Sequence, residues 1–261
     1  MKISVRNLSF RYTDKPVFKN FNADLENEGR PLVILGPSGS GKTTLLKLLA
    51  GLLKPMEGQI RFSGTRFPKG GINASGGGPE SLENAVIKTA FMFQENRLLP
   101  WLNVLENVSL PLEKEFGREE GRARARHFLS LVSLGDKESS YPDELSGGQA
   151  KRVSMARAFA WPAPVLFMDE PFQSLDIPLR ISLIDLALSL LEEEKRLLVT
   201  VTHDPRAALY LGERIIILGQ LGQGIVFDKA VKLRGEDRAY GSAAVGEMER
   251  EIIEVLKKTG F

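Results

Sequence analysis

Two apolar rhythms alternate along the chain. Near the start, "KISVRNLSFRY", "PVFKNFNADL" and "RPLVILG" are short β-rich runs separated by Gly, Asn and Asp clusters, which predicts antiparallel strands feeding a buried one. From Lys42 the text changes to "KTTLLKLLAGLLKP", whose leucines recur at helical spacing and whose end is marked by Gly51 and Pro55. A strand, a glycine loop and a helix are therefore expected in that order.

Helical spacing dominates from about Glu95 to Ala160, as in "GREEGRARARHFLSLVSLG". Strand-like runs return in "APVLFMDEP" and "RLLVTVTHD", with the helix "LRISLIDLALSLLEEEK" between them. The economical fold is an α/β core with an antiparallel β part and a helical part at about 95–160 inserted into it. Residues 68–84, "PKGGINASGGGPESLEN", are too rich in Gly and Pro for a regular element, and a surface loop is expected there. The main domain is expected to span 1–222. Residues 223–261 form a C-terminal extension whose "GEMEREIIEVLKKTG" predicts an amphipathic helix with Met248, Ile252, Val255 and Leu256 on one face, packed on its own domain or offered to a partner.

Composition narrows the chemistry. The 261 residues are 43% hydrophobic, enough for a real core, and 35 basic against 33 acidic side chains leave a formal charge of +2, which gives no reason to expect nucleic acid as a partner. The absence of cysteine excludes disulfides, thiolate metal sites and cysteine nucleophiles, and two histidines cannot form a histidine-rich zinc site. The start "MKISVRNLSFRYTDK" lacks the apolar centre of a signal peptide, and no run approaches the roughly 18 to 20 apolar residues that span a bilayer. A cytoplasmic protein is expected, peripheral on the inner face of the membrane if a partner holds it there.

"GPSGSGKTT" comprises Gly36, Pro37, Ser38, Gly39, Ser40, Gly41, Lys42, Thr43 and Thr44, and it fits the G-x-x-x-x-G-K-[ST] pattern between a buried strand and a helix. Backbone N–H groups at such a helix entrance point at a phosphate, and glycines remove steric obstruction. Lys42 would reach the β and γ phosphates, and the Thr43 hydroxyl would ligate Mg²⁺. "VLFMDEP" ends an apolar strand in two carboxylates: Asp169 would hold Mg²⁺ through water and Glu170 would polarise the attacking water. "VTVTHDP" puts His203 at another strand end, where an imidazole can donate to the γ-phosphate and orient that water. A second glycine pair, in "LSGGQAKRVSMARA", opens a basic, alanine-rich helical run.

Together the phosphate loop, "LSGGQ", "LFMDEP", "SLD" and "THD" resemble the ATP-binding cassette ATPases from roughly Lys2 to Leu218, which implies a phosphate-loop NTPase core with an antiparallel β subdomain and a helical subdomain. The resemblance implies that Tyr12 in "FRYTDKP" stacks on adenine, although it also reads as an edge-strand aromatic. It implies that Gln94 in "MFQENRLLPW" senses Mg²⁺ and water and joins the core to the helical part. Asp176 matches the loop that couples two subunits. Ser146, Gly147, Gly148 and Gln149 match the signature loop that contacts the γ-phosphate held by the other subunit. Leu98, Leu99 and Trp101 match the region where a permease helix docks, the alternative being burial within the helical part.

"QENRLLPWLNVLENVSLPL" and the tail "VGEMEREIIEVL" look like the importer ATPases of the nitrate, sulfonate, taurine and hydroxymethylpyrimidine group. The implied partners are a second copy of the chain, a membrane permease docking near Gln94 to Trp101, and an extracytoplasmic substrate-binding protein. The insert at 68–84 and Gln173 in "PFQSLD", where a smaller residue is expected, depart from that group. A soluble cassette ATPase acting in assembly or on nucleic acid is the alternative. A small-molecule kinase would explain "GPSGSGKTT" and leave "LSGGQ" and "SLD" without a role.

Overall fold

A computed structural model describes residues 1–26, 31–63, 87–194 and 196–259. The glycine-rich segment 68–84 lies outside the described residues.

The first strands form a small antiparallel sheet in the order β2-β1-β4, from β1 (Lys2–Tyr12), β2 (Lys15–Glu26) and β4 (Glu57–Ser63). Between them in the chain, β3 (Leu32–Leu35) enters a second sheet and is followed by α1 (Lys42–Leu49). The second sheet is six-stranded, in the order β5-β6-β7-β3-β8-β9, and adds β5 (Thr89–Met92), β6 (Val165–Asp169), β7 (Leu197–Val201), β8 (Arg214–Leu218) and β9 (Ile225–Ala230). Its pairs are parallel apart from β8 with β9, which is antiparallel. Because β9 closes this sheet, the core extends past residue 222 into the segment read from the sequence as an extension.

Period-2 alternation explains why the large sheet is apolar on both faces. Val33, Leu35, Leu166, Met168, Ile215 and Ile217 face a core built with the helices; Leu32, Ile34, Val165, Phe167, Ile216 and Leu218 face a second core shared with the small sheet and α1. A mainly parallel sheet buried on both sides needs such continuous apolar strands.

The helical part consists of α2 (Val104–Phe116), α3 (Arg118–Leu131) and α4 (Gly147–Ala160), packed through Val108, Leu112, Phe128, Leu129 and Met155. After β6 come α5 (Ile177–Glu194), β7 and α6 (Pro205–Leu211). The terminal helix α7 (Ala243–Lys258) buries Val245, Ile252 and Leu256, with Met248 and Val255 packed alongside, so its apolar face covers its own domain. It is further fixed by the pairs Arg206–Glu249 and Lys229–Glu251. Among the described residues no helix is long and apolar enough to cross a membrane.

Candidate active site

The phosphate-type loop connects β3 to α1. Gly39 and Gly41 adopt φ of +80° and +94°, a region open to glycine at little cost, and Gly41 sits at the N-cap of α1 with no side-chain cap. A Cβ on Gly41 would lie 2.9 Å from Val17 Cγ1 and 3.0 Å from the Phe18 ring, so β2 presses directly on the loop. The first turn of α1 holds no acidic residue, and its free N–H groups face the loop. Lys42 Nζ donates to the carbonyls of Gly36 at 2.8 Å and Pro37 at 3.0 Å. Burial lowers the Lys42 pKa, and the carboxylates of Glu170 and Asp169 act against that. Ser40 Oγ is buried without a hydrogen-bond partner among the described residues, an orphan donor inside a loop otherwise made of backbone donors. Such a donor set suits a phosphate.

The strand order β6-β7-β3 brings three strand ends together, and α1 packs beneath β7 and β6. Consequently Thr43 Oγ1 donates to Asp169 Oδ1 at 2.8 Å. Burial raises the Asp169 pKa, while the Thr43 bond and the charges of Lys47, Lys42 and Arg97 pull it down. At the next position the chain turns sharply: Glu170 has φ of +45°, uncommon for a residue with a Cβ, and its N–H donates to Val201 O at 3.1 Å. That conformation presents the carboxylate to the turn after β7, where His203 Nδ1 lies 3.0 Å from Glu170 Oε2. A buried carboxylate beside a hydroxyl, and a second carboxylate beside an imidazole, can hold a hard cation and move a proton from water.

The other residues singled out from the sequence lie around this centre. Tyr12 is exposed at the end of the β1–β2 hairpin and edge-on to Phe10, with ring centroids 5.0 Å apart. Gln94 follows β5 and donates through Nε2 to Gln173 Oε1. Ser146 is the N-cap of α4: its hydroxyl accepts from Gln149 N at 3.3 Å and its N–H donates to Gln149 Oε1 at 2.9 Å. These side-chain bonds stay within the "SGGQ" loop. Gly147 has open space where a Cβ would stand, so the start of α4 offers bare backbone to the outside. Asp176 caps α5, accepting from Leu179 N at 3.0 Å. Trp101 is 71% exposed, whereas Leu98 and Leu99 are half-buried, Leu98 against the helix-side core.

Sequence reasoning missed three residues. Arg180 donates to Asp204 and to Leu175 O, linking the turn before α5 to the turn that follows β7. Lys151 is buried on α4 and donates to Gln94 O at 3.0 Å. Gln173, larger than the resemblance leads one to expect, accepts from the Gln94 side chain. A lysine among the alanine-rich, inward-facing positions of the α4 run was the available signal, since a buried charge needs a partner.

A phosphate loop continued by two strand-end carboxylates defines a nucleotide-hydrolysing enzyme, and an inserted helical part with its own exposed glycine entrance narrows the class. The family model described as "ABC transporter" matches residues 18–173, and the chain belongs to that family. It is 36% identical over 249 residues to the aliphatic sulfonates import ATP-binding protein SsuB 1 of Rhodococcus jostii, covering 95% of this chain and 91% of that protein. The corresponding SsuB of Zymomonas mobilis is 37% identical over 239 residues, 90% of this chain and 88% of the relative. Among solved structures, the dimeric post-hydrolysis state of the ATP-binding cassette MJ0796 bound to ADP and Pi aligns with a TM-score of 0.69 and 31% identity, covering 89% of this chain and 99% of that one.

Proposed function

We propose that the chain is the ATP-binding and ATP-hydrolysing subunit of an importer of the nitrate and sulfonate group, working as a pair of identical copies that drives uptake through a separate membrane permease. The bond between Thr43 and Asp169 is the observation that carries the ATPase part of this reading, because it joins the phosphate loop to the carboxylate strand at one point, and the SsuB relatives support the importer part. A hydroxyl and a carboxylate in contact are hard oxygen donors of the kind Mg²⁺ takes together with phosphate oxygens and water. When bound, Mg²⁺ would neutralise charge on the β and γ phosphates of ATP.

The residue roles follow from this placement. Residues 36–44 hold the phosphates, Lys42 among them. Thr43, Asp169 and Gln94 attend the cation. Glu170 takes a proton from water, and His203 orients that water. Tyr12 receives the adenine ring. The exposed entrance of α4, Ser146 to Gln149, reaches nucleotide held by the second copy, and Asp176 lies in the loop between copies. Residues 95–160 form the helical part, with Trp101 marking the docking surface for the permease; residues 223–261 are an extension that starts with the edge strand β9 and closes on α6 through α7. A substrate-binding protein outside the membrane completes the system, and the ATPase works on its inner face.

The test is ATP hydrolysis by the purified full chain over a range of concentrations. Mg²⁺-dependent turnover per chain that falls on dilution is expected for two half-sites completed by pairing. Full activity per chain at high dilution would indicate a self-contained site and overturn the paired reading. Co-purification with a membrane permease separates the importer from a soluble cassette ATPase.

A further inference from the structure

Gln94 is held from two sides by residues that the ATPase reading leaves without a role. Its side chain donates to Gln173, which lies in the turn between Glu170 and Asp176 and whose own N–H donates to Glu170 O at 3.3 Å. Its backbone carbonyl accepts from Lys151 Nζ at 3.0 Å, and Lys151 is buried on α4, the helix that begins at Ser146. Further along the same helix, Arg157 donates from Nη1 to Arg97 O at 2.9 Å and from Nη2 to Asn96 O at 2.7 Å. Residues 94–97 are therefore strapped to α4 by charge-assisted bonds to three carbonyls.

The strap continues toward the surface. Asn107, 2% exposed, accepts from Leu99 N at 2.7 Å and donates to Leu99 O at 3.1 Å and Leu102 O at 2.9 Å, which fixes the backbone on either side of exposed Trp101. A bonded path thus runs from the turn beside Glu170, through Gln173 and Gln94, to the loop carrying Trp101, and a branch through Lys151 reaches the helix headed by Ser146.

We propose that Gln173 and Lys151 are positioning residues for ATP hydrolysis: Gln173 holds the Gln94 side chain and Lys151 its backbone, so that the turn after Glu170, the entrance helix and the loop 94–101 shift together. An alanine at position 173 has no amide oxygen to accept the Gln94 bond, which gives the Gln173 side chain a function. Lys151, with its ammonium on a backbone carbonyl, needs only a long donor, so arginine can stand in for it while methionine cannot.

The inference rests on the ATPase reading of the site, and the test separates the two. In the nucleotide-free full chain, Q173A and K151M are expected to speed amide hydrogen exchange across residues 94–99 by roughly three- to tenfold, the scale of one lost hydrogen bond, with K151R restoring protection. In ATP turnover, Q173A is expected to slow the wild-type chain by a similar factor and to add nothing in a Q94A background. Unchanged exchange in both variants overturns the proposal. So does a Q173A effect of equal size with and without Gln94, while Q94A itself is slow. Full turnover in Q94A overturns both this proposal and the role given to Gln94 above.

Discussion

Thr43 and Asp169, 126 positions apart in the chain, are joined by a 2.8 Å bond from hydroxyl to carboxylate. Burial raises the Asp169 pKa, so the fold disfavours the charged form that cation binding needs. The sign follows: at pH values above the folded pKa the carboxylate is ionised in both states, and the folded chain bears a desolvation penalty absent from the unfolded one. Asp169→Asn keeps an acceptor for Thr43 and removes the charge. It is expected to raise the melting temperature of the nucleotide-free chain near pH 7.5, by about 1 kcal/mol in stability, and to abolish ATP turnover. Thermal melts and a turnover assay on the same preparation check both halves.

Glu170→Gln is expected to leave ATP binding intact and to lower turnover by roughly 10² to 10⁴, the range of a general base. The amide keeps a hydrogen-bonding atom toward His203 and loses the basicity. Equilibrium nucleotide binding alongside single-turnover kinetics would decide it, and an unchanged rate removes Glu170 from that role.

Ser146→Arg fills the exposed entrance of α4 and removes its cap, for which roughly 1 kcal/mol of stability is expected to be lost. Hydrolysis should disappear while nucleotide affinity of the isolated monomer is retained, because the side-chain bonds of Ser146 stay within its own loop. Weakened monomer affinity would show that the loop serves its own site instead.

Lys151 is pushed down to about 8 by burial, from 10.5 for an ordinary lysine. Between those values the folded chain has released a proton that the unfolded chain still holds, so stability rises with pH across that window. Urea unfolding at pH 8 and pH 10 is expected to show the wild-type chain gaining about 1 to 2 kcal/mol relative to K151M, other titrations cancelling in the difference. An equal pH response in the two chains would mean that Lys151 titrates like an exposed lysine.

The parts readable from sequence are those written in consecutive residues. "GPSGSGKTT" must build a cradle from its own backbone, so its glycines, lysine and threonine stand at fixed spacing. The apolar runs ending in Asp169 and His203 declare strands because they are buried on both faces. By contrast, β5 is followed directly by neither a glycine loop nor a carboxylate that would mark its end, and β9 lies in the segment expected as an extension, since its alternation is weak and it sits at a sheet edge.

By itself the sequence determined the chemistry of the site: which residues could cradle phosphate, hold a cation or accept a proton, since each role belongs to a residue type at a local spacing. Only the tertiary structure decided which of them meet. The order β5-β6-β7-β3-β8-β9 sets Asp169 against Thr43 and His203 against Glu170, and the packing of α4 on the loop after β5 brings Lys151 to Gln94. Strand order and helix docking arise from burying two apolar faces at once, a condition on the whole chain that no short stretch of it encodes.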